Sequence, residues 1–200
     1  MKALKRNVGP IGFLNRENDS SGRLAKFRCG RDFLYYTLNY YYPEKFNPSN
    51  NNSFEIERQH MLGLRLPWWL MWTQLQFMYL PKLFSRLGLK LTINGAEINS
   101  FFLLLVSLSI PQKSNAEEKI KEIEKAIDSS HASGIDISLR LGGLIDHVLF
   151  VDGYDNENFY VLDTHQVPGL EYEKLTNDNK YYMRLSKHIV KKRWTRFGRV

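Results

Sequence analysis

The sequence predicts an α+β fold in which the helices come first and an antiparallel sheet comes second. Three observations lead to this prediction. A helical pattern follows Cys29, a second one follows Ser114, and short strand-like runs succeed one another from Ile135 onward. Helices and strands that are grouped along the chain in this way are typical of an α+β architecture.

Length and composition predict one domain. The chain has 200 residues, of which 43% are hydrophobic and 24% are charged, and this is enough to bury one core of ordinary size. We expect a single domain over 1–200, with a mainly helical part over 1–110 and a mainly β part over 111–200. The one cysteine excludes an intramolecular disulfide, so a reducing cytoplasm is the expected location.

The first helix is predicted to begin at Cys29 and to end before Pro43. Leu34, Leu38 and Tyr41 recur at helical spacing, and a proline cannot continue a helix. A cysteine in the first turn lies among unpaired backbone N–H groups at the positive end of the helix dipole. Both features favour the thiolate over the thiol, so this helix start indicates a reactive cysteine.

The middle of the chain supports a coarser prediction. A loop of turn-forming residues over 44–53 precedes a helical block over 54–87, which prolines interrupt and which Gly88 closes. The apolar segment 66–80 is shorter than the ~20 residues that a membrane span needs, so we predict no transmembrane segment. The apolar run 101–110 fits a buried strand and a buried helix equally well.

A second helix and the strands follow. Ser114 and Glu117 form a capping box, and Ile120, Ile123 and Ile127 share one helix face. Strands are predicted over 135–141, 147–152, 159–163 and 181–185.

The hairpin around Asp155 is predicted to bring a histidine and a carboxylate together. If the hairpin is centred on Asp155, residues whose numbers sum to 310 face one another. His147 then lies opposite Asp163, with Cβ atoms about 4.5 to 5.5 Å apart. A different turn length places His147 opposite Thr164 instead. A cysteine nucleophile needs a base and a group that orients the base, and Cys29, His147 and Asp163 are residues of these types.

Each of these three residues also has an ordinary structural interpretation. A lone cysteine is commonly an inert buried residue, and a histidine or aspartate at a strand end commonly bonds to the backbone. Their combination favours a thiol enzyme. A metal site built from His147, Asp152, Asp163 and His165 is disfavoured, because His147 and Asp152 have opposite strand parity. We predict no metal and no cofactor.

Three stretches of the chain together resemble a known family. They are Cys29-Gly30 at the start of a tyrosine-rich helix, the helix and strand over 117–141, and the hairpin that contains His147 and Asp163. These stretches are similar to papain-fold cysteine peptidases of the bacteriocin-processing, double-glycine leader peptidase-like group. The resemblance implies a papain-like fold in which Cys29 is the nucleophile, His147 is the base and Asp163 orients the base.

Two positions depart from the pattern of that family. The family usually has a glutamine about six residues before the cysteine, whose amide helps to stabilise the oxyanion, and here Arg23 stands at that spacing. We predict that Arg23 replaces it as the second oxyanion donor beside the backbone N–H of Cys29, with Asn15 and Asn18 as alternatives. Thr164 follows the aspartate where the family commonly has a proline.

The predicted function is that of a papain-like cysteine peptidase, or an acyl-transfer enzyme, acting on a peptide or amide bond of a peptide or protein substrate. The alternative is a catalytically silent papain-like module that binds a peptide or nucleic acid through a basic, aromatic-lined surface. The net charge of +7 is concentrated in 179–200, a segment with eight lysines and arginines and no acid. Such a segment suits nucleic acid or an anionic surface, and its alternation suits a solvated edge strand better.

Overall fold

The computed structural model describes residues 2–3, 29–43, 85, 88–90, 92–93, 96–98, 116–140, 145–163, 170, 172–174 and 182–193. The chain divides into two units. The sheet unit consists of Met1–Asn7 and Pro111–Val200, and the inserted unit consists of Val8–Ile110. The predicted single domain over the whole chain stays a prediction.

Helix α1 of the inserted unit spans Cys29–Tyr41. The amide of Tyr42 still donates to the carbonyl of Leu38 over 2.8 Å, and Pro43 follows in a turn. Leu38 is fully buried, as its place in the helical pattern requires. The predicted start at Cys29 and the predicted end before Pro43 are confirmed.

Gly88 marks a chain reversal in the inserted unit. Its φ of 69° lies in the left-handed region, where glycine has no Cβ to clash, and its amide donates to the carbonyl of the helical residue Ser85 over 3.2 Å. A short hairpin follows, with β2 at Thr92–Ile93 and β3 at Ala96–Glu97. Apart from Ser85, the predictions for 44–87 and 101–110 lie outside the described residues.

Helix α2 of the sheet unit spans Ala116–Asp128. Ile120, Ile123 and Ile127 are buried, which confirms the predicted apolar face. None of the helices that the structure describes is long and apolar enough to cross a bilayer.

The strands of the sheet unit pair in antiparallel fashion throughout. The strands are β1 at Lys2–Ala3, β4 at Ser133–Arg140, β5 at Ile145–Tyr154, β6 at Asn158–Leu162, β7 at Tyr172–Lys174 and β8 at Tyr182–Ser186. β4 and β1 pair along one edge of β5, and β6, β8 and β7 follow in that order on its other edge. The predicted α+β class is confirmed.

One face of this sheet forms the core with α2. Every second residue along the strands points to this face, and the buried apolar members are Ile135 and Ile137 of β4, Leu149 and Val151 of β5, Phe159 and Val161 of β6, and Met183 and Leu185 of β8. Helix α2 contacts β4 and β5. The hydroxyl of Tyr154 at the end of β5 also donates to Asp128 at the end of α2 over 2.9 Å.

The hairpin between β5 and β6 has a different register from the predicted one. The numbers of paired residues sum to 313 beside the turn, as for Tyr154 and Phe159, and to 312 beyond a β-bulge at Asp152. The prediction of a hairpin centred on Asp155, with a sum of 310, is therefore wrong.

The turn chemistry explains this register. The amide of Asp155 donates to the carbonyl of Asn158 over 2.9 Å, which leaves a two-residue loop of Asn156 and Glu157. The carboxylate of Asp155 accepts the amides of Glu157 and Asn158 at 2.9 and 2.8 Å, and it accepts the hydroxyl of Tyr160 at 2.6 Å. Asp155 thus begins the turn instead of forming its centre.

The turn carboxylate should make part of the stability dependent on acid. The hydroxyl of Tyr160, followed by the amides of Glu157 and Asn158, lowers the pKa of Asp155 from 3.8 to about 2. Because the folded pKa is the lower one, this stabilisation is complete above the unfolded pKa and is lost as pH falls from about 4 to about 2. Asp155 lies in a partly exposed turn, so solvent screening makes the contribution to stability smaller than the pKa shift alone would give.

Thermal unfolding of wild type and Asp155→Asn between pH 2 and pH 6 checks this expectation. Asparagine preserves an oxygen acceptor for the turn amides but not the charge, so the variant should be less stable at pH 6 and should lose less stability on acidification. Tyr160→Phe is the matched control, because it removes the largest cause of the lowered pKa and should also flatten the profile. Identical profiles for all three proteins would contradict the assignment.

In the basic segment over 179–200, the strand that the structure describes, β8, is not an edge strand. β8 lies between β6 and β7, and the chain then forms helix α3 at Lys187–Arg193. The alternation that the sequence predicts is present, since Met183 and Leu185 are buried and Arg184 is half-buried. β8 has a partner strand on each side, so it lacks the solvent-exposed edge that the sequence suggested.

Candidate functional site

Among the described residues of the sheet unit, His147 and Asp163 form a buried histidine–aspartate pair. His147 Nε2 lies 3.0 Å from Asp163 Oδ1, and the two side chains are 3% and 2% exposed. Two ionisable groups withdrawn from water to this extent require a partner, because an unpaired buried charge costs several kcal/mol. The burial of both side chains therefore requires the hydrogen bond between them.

The sheet brings the two residues together diagonally. Continuing the observed sum of 312 by one residue places Asp163 level with Leu149, two positions along β5 from His147. Residues two apart in a strand share a face, and diagonal neighbours are about 7 to 8 Å apart, which an imidazole and a carboxylate can bridge. The predicted contact between His147 and Asp163 is confirmed, whereas their predicted direct opposition is wrong.

The partner atoms assign the hydrogen-bond direction. When Asp163 is ionised its carboxylate can only accept, and Nε2–H of His147 then donates to Oδ1 of Asp163. The neutral imidazole then has its basic nitrogen at Nδ1, because one ring nitrogen carries the proton and the other does not. Asp163 thereby selects one tautomer of His147, which is the role of the third member in a nucleophile–base–carboxylate set.

The other predicted site residues lie outside this pair. Cys29 is the first residue of α1 and belongs to the inserted unit, and its side chain is not among the described parts of the chain. Arg23, Asn15 and Asn18 lie outside the described residues, as does Thr164. The roles of Cys29 and Arg23, and the proximity of Cys29 to His147, stay predictions.

Asp152 belongs to the opposite face of the sheet. Its carboxylate is 5% exposed and accepts the hydroxyl of Tyr182, which pairs with Leu162 on that face, over 2.9 Å. The predicted separation of His147 and Asp152 is thus confirmed. Over the ranges that the structure describes, no group of three or more His, Cys, Asp or Glu residues could hold a metal ion.

Three cations of the basic segment are paired with carboxylates of the sheet unit. Lys191 lowers the pKa of Glu117, and Arg184 lowers the pKa of Glu173, in each case mainly through a side-chain hydrogen bond. These ion pairs reduce the charge that the segment presents to an external anion. The pairs are Arg184 with Glu173, Lys187 with Glu124, and Lys191 with Glu117.

Sequence reasoning missed Lys187 as a buried residue. Its ammonium group donates to Glu124 at 2.5 Å and to the carbonyl of Asp155, and it lies 4.9 Å from the ring centre of Tyr154 and 5.2 Å from that of Phe159. The alternation of β8 contained the signal, because continuing it past the buried residues at 183 and 185 reaches position 187.

Comparison of the chain with protein-family models, with curated proteins and with solved structures finds no match in any of the three.

Proposed function

We propose that the chain is a papain-like cysteine peptidase, or a related acyl-transfer enzyme, that cleaves a peptide or amide bond in a peptide or protein substrate. The observation that carries the proposal is the buried hydrogen bond between His147 and Asp163. It holds the imidazole in the tautomer that a thiol nucleophile needs in its base. Cys29 supplies the thiol, and its place at the start of α1 favours the thiolate.

In the proposed reaction, Nδ1 of His147 takes the proton of the Cys29 thiol, and Sγ attacks the carbonyl carbon of the scissile bond. The tetrahedral intermediate collapses to a thioester when the amine leaves with the proton from His147. Water, activated by His147, then attacks the thioester, which releases the acid and restores the thiol. An amine or hydroxyl acceptor in place of water gives acyl transfer through the same intermediate. Asp163 stabilises the imidazolium that forms in each step.

Two hydrogen-bond donors are proposed to stabilise the oxyanion. The first is the backbone N–H of Cys29, at the amino terminus of α1, where helix N–H groups have no partner within the helix. The second is the guanidinium of Arg23, at the spacing where the similar family has its glutamine. Because the reaction needs a reduced thiol, a reducing cytoplasm is the proposed location.

Alkylation of Cys29 by iodoacetamide near pH 6 tests the proposal. A thiolate paired with His147 reacts at this pH, whereas an ordinary thiol with a pKa of about 8.5 is almost fully protonated. The folded protein should react about 10- to 100-fold faster than the same chain unfolded in guanidinium, in which the one cysteine has its ordinary pKa.

The variant His147→Gln shows whether the histidine is the cause. Glutamine retains an N–H donor toward Asp163 but takes no proton, so the rate advantage of the folded protein at pH 6 should disappear. Fast alkylation that survives in His147→Gln would contradict the proposed pairing. Slow alkylation of the folded wild type would instead favour the catalytically silent binding module.

A further inference from the structure

We propose that Ile137 is a positioning residue for His147, holding the imidazole against Asp163 and excluding water from that hydrogen bond. The consequence for catalysis rests on the proposed function of His147. The effect of Ile137 on the position and tautomer of the imidazole does not depend on that function.

The register of β4 and β5 carries the inference. Ile137 is the direct cross-strand partner of His147, and the two residues are 0% and 2% exposed. Directly opposed residues of an antiparallel pair point to the same face, with Cβ atoms about 4.5 to 5.5 Å apart. The side chain of Ile137 is therefore a neighbour of the imidazole on the same face of the sheet.

Ile137 and Asp163 approach His147 from the two edges of β5. β4 pairs along one edge of β5 and β6 pairs along the other, so Ile137 is on one side and Asp163 is on the other. One neighbour accepts a hydrogen bond and the other offers neither a donor nor an acceptor. Rotation of the imidazole toward Ile137 would exchange its hydrogen bond with Asp163 for contact with a hydrocarbon group.

The size and rigidity of isoleucine matter for this role. A β-branched side chain has few rotamers in a strand, so it fills the space beside the ring without yielding to it. Truncation at position 137 leaves a cavity next to two polar groups, and a cavity of that kind admits water. Water beside the ring competes for Nε2–H and weakens the preference for one tautomer.

The test compares Ile137→Ala with Ile135→Ala by NMR of the full chain labelled with ¹⁵N-histidine. Ile135 is the matched control, because it lies on the same strand and face, is equally buried, and opposes Leu149 rather than His147. Both substitutions remove the same atoms from the core. The ring signals of His147 are assigned by their loss in His147→Gln.

In Ile137→Ala the Nε2 proton of His147 should exchange with water faster by about an order of magnitude, and the ring ¹⁵N shifts should move toward a tautomer mixture. Ile135→Ala should leave both signals as in wild type, and Ile137→Val should largely restore them. Equal changes in both alanine variants would reduce the role of Ile137 to general packing, and no change in Ile137→Ala would overturn the inference.

The iodoacetamide rate of Cys29 at pH 6 separates this inference from the proposed function. If the role of Ile137 and the proposed function are both correct, Cys29 should react about 10- to 100-fold more slowly in Ile137→Ala than in wild type. Misplacing a catalytic group by about 1 Å has an effect of this size. If the alkylation rate does not depend on His147 at all, the proposed function fails, and the NMR signals still decide the role of Ile137.

Discussion

Replacement of Cys29 by alanine is expected to abolish the burst of nitrophenol that an acyl-enzyme produces from p-nitrophenyl acetate. Without the sulfur no thioester forms, and loss of the nucleophile in enzymes of this type costs about 10⁴- to 10⁶-fold in rate. His147→Ala should have an effect of similar size, because the thiol then has no base. The measurement is stopped-flow absorbance of the leaving group, together with mass spectrometry of acetylated Cys29.

Asp163→Asn should retain part of this activity. The amide oxygen of asparagine can still accept Nε2–H of His147, but its NH2 group can also favour the other tautomer, and the imidazolium loses its stabilising charge. The burst rate should fall by about 10²- to 10⁴-fold, which is less than the loss in Cys29→Ala. A larger loss in Asp163→Asn than in His147→Ala would contradict the assigned roles.

Two control variants distinguish loss of the burst from loss of the fold. His147→Ala leaves the carboxylate of Asp163 buried without its imidazole, and such a change is destabilising in itself. His147→Gln provides a donor to that carboxylate and should lose the burst while the protein stays folded. His188→Ala removes an exposed histidine of the same unit and should leave the burst unchanged. Full activity in Cys29→Ala would reject the peptidase proposal.

The elements that the sequence predicted best are those whose pattern is local. The extent of α1 followed from helical spacing and from the proline that ends it, and the buried face of α2 followed from isoleucines at a helical period. Gly88, which was predicted to close a helical block, has a left-handed backbone that glycine adopts without strain.

The register of the β5–β6 hairpin could not be predicted from the sequence because it depends on two local features. One is the two-residue turn that begins at Asp155, and the other is the bulge at Asp152, which shifts the pairing by one residue. Neither changes the alternation of apolar residues that reveals the strands. His147 and Asp163 still meet, because an error of two in the sum of paired numbers leaves both residues on the same face.

The carboxylate partners of the lysines in the basic segment could not be predicted from the sequence either. Lys187 and Lys191 are four residues apart on α3, and their carboxylate partners on α2 precede them by 63 and 74 residues. Spacing along the chain reveals pairs within one helix but not pairs between two helices. The sequence therefore indicated a basic surface where the structure places two ion pairs between α2 and α3.

The substitution Lys187→Met is expected to destabilise the sheet unit by about 2 to 4 kcal/mol, since removing one partner of a buried pair leaves the others unsatisfied. Lys187 is 8% exposed, and its ammonium group donates to Glu124 and to the carbonyls of Asp155 and Asn156. Methionine matches the length of the stem but satisfies none of these acceptors. Urea unfolding followed by circular dichroism measures the loss.

Lys191→Met is the matched control for this large effect. It makes the same chemical change one turn further along α3, and it breaks the ion pair with Glu117, whose two side chains are 43% and 62% exposed. Water replaces the lost partner there, so the midpoint of unfolding should move far less than in Lys187→Met. Equal shifts in the two variants would mean that net charge, rather than the buried contacts of Lys187, stabilises the packing of α3 against α2 and the β5–β6 turn.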